Sequence, residues 1–289
     1  MDSDTFNTSD NNMENKESEL ISMLHIAWKK SEDEVWLETQ KKLQKRKIVR
    51  LNMPNFYVKW VAAASIVVIF SVSILIGTHT KTVSTLAMQH KIIELPDGSK
   101  MTLNAQSNAT YKPYLWMINR QVKLNGEAFF EVQKGEKFKV LSDLGSTEVL
   151  GTSFNIYSRE NSYEVTCITG KVKVKAHETN DEILLQPSQK AILKSTGKLN
   201  VLNQVKNKNS TAWMEGKLIF TSVPLSKVFD EIERQFNVKI IFRNHSDLDY
   251  TGAMKLTDDI EEILTYICQP FDVDWIRSKN NTYTIIRKD

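Results

Sequence analysis

Trp60-Val-Ala-Ala-Ala-Ser-Ile-Val-Val-Ile-Phe-Ser-Val-Ser-Ile-Leu-Ile-Gly77 carries no charge over its whole length, and its reading decides how the rest of the chain is organised. An α-helix of about 20 apolar residues crosses the hydrocarbon core of a bilayer. Val58 lengthens the run across Lys59, whose ammonium reaches the headgroups on its own aliphatic stem. A transmembrane helix is therefore expected at 58–77. The buried helix of a soluble domain is usually shorter and rarely stands beside a cationic block. A signal peptide has a charged leader of only a few residues, whereas nearly sixty precede this run. Residues 1–40 hold ten acidic and three basic side chains, but Lys41, Lys42, Lys45, Arg46, Lys47, Arg50 and Lys59 make the stretch before the run purely basic. The positive-inside rule then places the N-terminus in the cytoplasm and exports about 210 residues.

Composition narrows the function. With 25% charged residues and a net charge of +3 over 289 residues, the chain can form real cores and lacks the basic excess that direct nucleic-acid contact requires. The five histidines, at 25, 79, 90, 177 and 245, show no metal-ligand spacing. Nucleophile elbows, phosphate-cradling glycine loops and dinucleotide fingerprints are missing too, so neither an enzyme nor a cofactor is expected. Cys167 and Cys268 fall in the exported part, where a disulfide is chemically permitted. The strand-like pattern around the first and the helical pattern around the second favour two buried free thiols.

Before the span, residues 1–15 are polar and read as a disordered lead-in. From Glu17, Leu20, Met23, Leu24, Ala27 and Trp28 recur at helical spacing along one stripe. Ser31-Glu-Asp-Glu34 is a capping box, opening a second helix with Val35, Trp36 and Leu43. Two helices this short cannot bury their own tryptophans. Leu20, Leu24, Trp28 and Trp36 thus need a covering surface: a groove on a soluble partner, the anionic inner leaflet, or a second copy.

Past residue 83 the apolar period changes from 3.6 to 2. Strands are expected at Lys91–Leu95, Lys100–Ala105, Arg120–Leu124, Ala128–Val132, Glu148–Leu150, Phe154–Ser158, Tyr163–Thr169, Lys171–Ala176, Ile183–Gln186 and Ala191–Lys194. Pro96-Asp97-Gly98 supplies one turn, and further glycines punctuate the remainder. This is an all-β, stacked or sandwich-like domain over 85–205. Over 216–289 the pattern strand (Lys217–Phe220), helix (Pro224–Phe236), strand (Val238–Phe242) is followed by Thr251–Met254, a helix at Asp259–Cys268, and strands at Asp272–Ser278 and Thr282–Arg287. Two β-α-β units are expected there. The fold class is thus mainly β with α+β: cytoplasmic helices, one transmembrane helix, an all-β periplasmic domain and a C-terminal βαβ-repeat domain.

Glu94-Leu-Pro-Asp-Gly-Ser-Lys-Met-Thr-Leu-Asn104, Leu124-Asn-Gly-Glu-Ala-Phe-Phe-Glu-Val132, Val149-Leu-Gly-Thr-Ser-Phe-Asn-Ile156 and Val165-Thr-Cys-Ile-Thr-Gly-Lys-Val-Lys-Val174 resemble, in order, the signature blocks of the FecR family of transmembrane anti-sigma regulators. Pro187-Ser-Gln189 stands where the family usually has Pro-Gly-Gln, a departure confined to a turn. Residues 216–289 resemble the FecR C-terminal domain of the Bacteroidetes type, itself similar to the signalling domains of TonB-dependent receptors. The resemblance implies that residues 1–57 hold an extracytoplasmic-function sigma factor while the periplasmic half relays a signal from a TonB-dependent receptor in nutrient uptake. A membrane-anchored adhesion or envelope-structural protein is the alternative, and it predicts no soluble partner for the N-terminal helices. Some relatives are cut at a Gly-Thr bond in the third block. At Gly151-Thr152 the threonine hydroxyl could attack the glycine carbonyl, although a bulge or turn explains the same pair.

Overall fold

The computed structural model describes residues 10–23, 30–44, 55–242, 248–257 and 259–287. Contacts divide the chain into two units, 1–65 and 66–289. Helix α1 is Asp10–Met23 and α2 is Glu32–Gln44. Helix α1 begins earlier than Glu17 and includes part of the expected lead-in, consistent with the absence of Gly and Pro from residues 10–16. The capping box forms as read: the Glu34 amide donates to Ser31 Oγ and the Ser31 amide to Glu34 Oε2, both at 3.3 Å.

Helix α3, Asn55–Thr78, contains the apolar run. Its Lys59–Thr78 portion has a mean hydropathy of 2.4 and buries none of its residues against protein, which makes it long and apolar enough to cross a membrane. The hydroxyls within it are satisfied internally. Ser65, Ser71, Ser73 and Thr78 each donate to the carbonyl four residues earlier, at 2.8–2.9 Å, so no polar group need face hydrocarbon unpaired.

Thirteen strands follow: β1 (Lys81–Ser84), β2 (Lys91–Glu94), β3 (Lys100–Leu103), β4 (Asn108–Tyr111), β5 (Arg120–Glu131), β6 (Phe138–Leu141), β7 (Gly145–Val149), β8 (Ser153–Arg159), β9 (Ser162–Cys167), β10 (Val172–Ala176), β11 (Glu182–Leu185), β12 (Lys190–Leu193) and β13 (Leu199–Leu202). They make one continuously bonded path, β11-β10-β7-β6-β5-β8-β9-β12-β13, with β4 carrying β1 and β3 carrying β2 onto β5. Sequence periodicity predicts separate strands at Arg120–Leu124 and Ala128–Val132. They are the two halves of β5. Its first half pairs with β4 and β6, its second with β3 and β8. The change of partners falls at Gly126, whose φ is +117° and where a Cβ would lie 2.5 Å from Ser107 Oγ, so only glycine fits. Strands β1, β4, β6 and β13 are not among those expected from the periodicity. Both halves of β5 feed one core containing Leu103, Leu124, Phe130, Phe138, Phe154 and Ile156, each contributing roughly 1.5–3 kcal/mol by leaving water. Ser188, at the Pro187-Ser-Gln189 turn, has φ +63°, which explains why glycine suits that position.

A short helix α4 (Asn207–Thr211) leads to β14 (Lys217–Pro224), α5 (Leu225–Phe236), β15 (Lys239–Ile241), β16 (Asp249–Lys255), α6 (Ile260–Cys268), β17 (Val273–Ser278) and β18 (Thr282–Arg287). Among the described residues, closed β-α-β units do not form. The strand before each helix pairs with its counterpart, β14 with β16, while β15 lies parallel to β18, which also pairs with β17. The repeat survives as interleaving, because the two helices share one core: Val228, Phe229 and Ile232 of α5 pack with Ile263, Leu264 and Ile267 of α6. Cys167 and Cys268 are both free and buried.

Candidate functional site

A buried polar cluster joins α5 to β5, β8 and the turn after β3. Glu127 follows the Gly126 bend and is buried. Its carboxylate accepts from Asn104 Nδ2 at 2.7 Å and Asn155 Nδ2 at 2.8 Å. On α5, Glu231, Arg234 and Gln235 occupy one face at i, i+3 and i+4. Gln235 Nε2 bridges the two bodies, donating to Asn104 Oδ1 at 2.9 Å and Glu231 Oε1 at 2.8 Å. Arg234 Nε donates to Glu231 Oε2 at 3.0 Å, and its Nη2 reaches Tyr157 Oη at 3.3 Å. Arg159 is spent mainly on the backbone, donating to the carbonyls of Ala105 and Gln106. Desolvation first, and the Glu231 charge second, raise the Glu127 carboxyl to about 7, despite Arg159 and the two amides. Burial opposes the charge on Arg234, but Glu231 and Tyr157 outweigh it and hold the guanidinium ionised. Two buried carboxylates, Glu127 and Glu231, thus sit in the seam between the β-domain and a helix, joined through Asn104 and Gln235.

Gly151 and Thr152 lie between β7 and β8. Gly151 has φ +154°, and a Cβ there would meet Lys134 Cα at 2.7 Å. Thr152 is buried and its Oγ1 has no hydrogen-bond partner, although its carbonyl accepts from the Val132 amide at 2.9 Å. The Thr152 hydroxyl is thus unengaged beside a glycine held in a conformation that favours glycine. Glu148 lines the same groove. Although burial works against its charge, Lys137 and Lys139 hold its carboxyl below the usual range, which makes it a poor base.

On the N-terminal helices, Leu20 is 62% and Trp36 66% exposed. Leu24 and Trp28 lie outside the described residues. The seam residues Glu127, Glu231, Arg234 and Gln235 were not singled out by sequence. Glu127 falls on the outward alternation of β5, where a charge looks ordinary. The i, i+3, i+4 polar face of α5 was the available signal.

The FecR protein model matches residues 81–173, and the FecR, C-terminal model matches residues 217–285. Among solved structures, a protein of Parabacteroides distasonis ATCC 8503 provisionally described as an anti-sigma factor is similar in two crystal structures, at 2.50 and 1.65 Å resolution. Each is 27% identical with a TM-score of 0.67, covers all of that chain and 73% or 72% of this one. No curated protein sequence matches. Two models in their natural order, over more than half of the residues, place the chain in the FecR family.

Proposed function

We propose that this protein is an anti-sigma factor anchored in the bacterial inner membrane by 58–77. Residues 1–57 lie in the cytoplasm and sequester an extracytoplasmic-function sigma factor. The all-β body at 85–205 and the C-terminal body at 216–289 lie in the periplasm and receive the signal of a TonB-dependent receptor. The carrying observation is the uncovered apolar surface on the helices before the span: Leu20, Trp36, Leu37 and Leu43 are all more than half exposed, and helices this short need a partner surface to cover them. The anti-sigma description of the Parabacteroides structures supports the same reading. Leu20, Leu24, Trp28 and Trp36 are the proposed contacts, and no nucleic acid is touched directly. Tagged residues 1–57 should copurify with a sigma factor and block transcription from its promoter in a reconstituted reaction. A fragment that leaves transcription by every sigma factor of the host unchanged would leave the envelope-structural reading standing.

A further inference from the structure

The two most exposed large apolar side chains among the described residues are neighbours: Met117, at 92%, and Ile118, at 85%. They lie in the loop joining β4 to β5, Lys112-Pro-Tyr-Leu-Trp-Met-Ile-Asn119, together with Tyr114, which is also exposed. The loop is built to hold them outward. Trp116 is its buried anchor, packed edge-on against Tyr111 and Phe138 at 5.6 and 5.7 Å. Its position is set by the end of α3. Strand β1 starts three residues after the helix, and its first residue, Lys81, pairs with Tyr111, the last residue before the loop. Lys112 Nζ donates to the Gly77 carbonyl at 2.9 Å, and Tyr114 stacks obliquely on His79 with ring centroids 4.9 Å apart. The loop therefore stands level with the last turn of the apolar helix. It holds no acidic residue.

The geometry points to a second membrane contact. The 112–119 loop docks in the interfacial layer of the same bilayer that α3 crosses, with Met117 and Ile118 entering the headgroup and acyl boundary, Tyr114 at the level of the headgroups, and Lys81 and Lys112 facing anionic lipid. This rests on the reading of α3 as a span. Its occupant follows from continuity: a surface bonded to the last turn of a bilayer-crossing helix meets that bilayer before any soluble partner. The chemistry fits, because aromatic rings favour the interface and shallow apolar insertion combined with basic side chains binds anionic lipid. Such a contact fixes the β-body against the membrane, and movement of that body must then pull the loop out or tilt the helix.

The test uses the full chain in nanodiscs of phosphatidylethanolamine and phosphatidylglycerol, with a bimane fluorophore on Ile118→Cys, on Ile69→Cys within the helix, or on Tyr266→Cys in the C-terminal body. The native thiols are buried, and unlabelled protein sets the background. Nitroxide on the lipid headgroup should quench the Ile118 label severalfold more than the Tyr266 label, with a blue-shifted emission, and acyl-chain nitroxide should quench the Ile69 label. A quenched Ile69 label beside an Ile118 label indistinguishable from Tyr266 overturns the docking alone and leaves the patch to a protein partner. An unquenched Ile69 label overturns the span, and the docking with it.

Discussion

The Glu127 carboxyl is linked to the seam, because burial there favours its protonated form. Its carboxyl is raised from 4.5 to about 7 in the folded protein. The stabilising contribution is therefore complete below the unfolded value, declines as pH rises between the two, and is gone above the folded one. The shift corresponds to about 3 kcal/mol. Thermal melts of the purified protein should fall in Tm from pH 5 to pH 8, and Glu127→Gln should flatten that slope; an equal slope in the variant would assign the dependence elsewhere. Asn155 Oδ1 has no partner in the native protein and can turn to accept from the new amide, so the variant keeps a bonded seam. At Thr152 two outcomes are distinguishable: an ordinary turn leaves the 33.2 kDa chain whole, whereas attack of the hydroxyl on the Gly151 carbonyl followed by hydrolysis of the resulting ester gives two fragments of nearly equal mass, with Thr152 as the new N-terminus. A denaturing gel decides this: Thr152→Ala should remain whole, and an intact wild-type band rejects the reaction. The Gly-Thr pair could be read from sequence, but the unengaged hydroxyl could not, because its surroundings come from strands distant in sequence.

At the scale of elements, legibility followed length and chemistry. The capping box at Ser31 and the turn at Pro96-Asp97-Gly98 are local, and both form as read, the second with Gly98 at φ +78°. Strand β5 was divided in two because Gly126 looks like punctuation, yet a glycine at a shared bend serves the strand instead of ending it. The interleaving of β14 with β16 was not legible, since alternation identifies a strand and is silent about its neighbour. The most informative element for function is α2. Trp36 is exposed there, and buried aromatic anchors dominate helix-in-groove interfaces, so Trp36→Ala should weaken sigma-factor binding by roughly 2 kcal/mol or more. Lys30→Ala should change it little, because the Lys30–Glu38 pair is half exposed on both sides. Titration calorimetry with residues 1–57 checks both, and unchanged binding by the tryptophan variant would assign its side chain to packing.

For the whole molecule, the expected topology has a direct test. A reporter active only in the cytoplasm should work when fused before Trp60 and fail when fused after Thr85, and a periplasmic reporter should give the reverse. Periplasmic activity at residue 40 would overturn the arrangement. The order of blocks was visible in the sequence because each carries its own turn chemistry, whereas the seam was hidden because it joins residues such as Asn104 and Gln235, 131 positions apart. Strand β5 has a further consequence, for the route by which the chain acquires its structure. Its four partners, β3, β4, β6 and β8, include two made before it and two made after it. On the proposed topology, a polypeptide emerging from the translocation channel can complete one edge of β5 at once, while the other remains an open template until residues 153–159 arrive. Loop closures of this kind slow folding, and open strand edges invite pairing with other chains. Secretion of this protein should depend on periplasmic chaperones until β8 has been delivered, and truncations ending between residues 131 and 153 should aggregate while those ending after residue 205 should not.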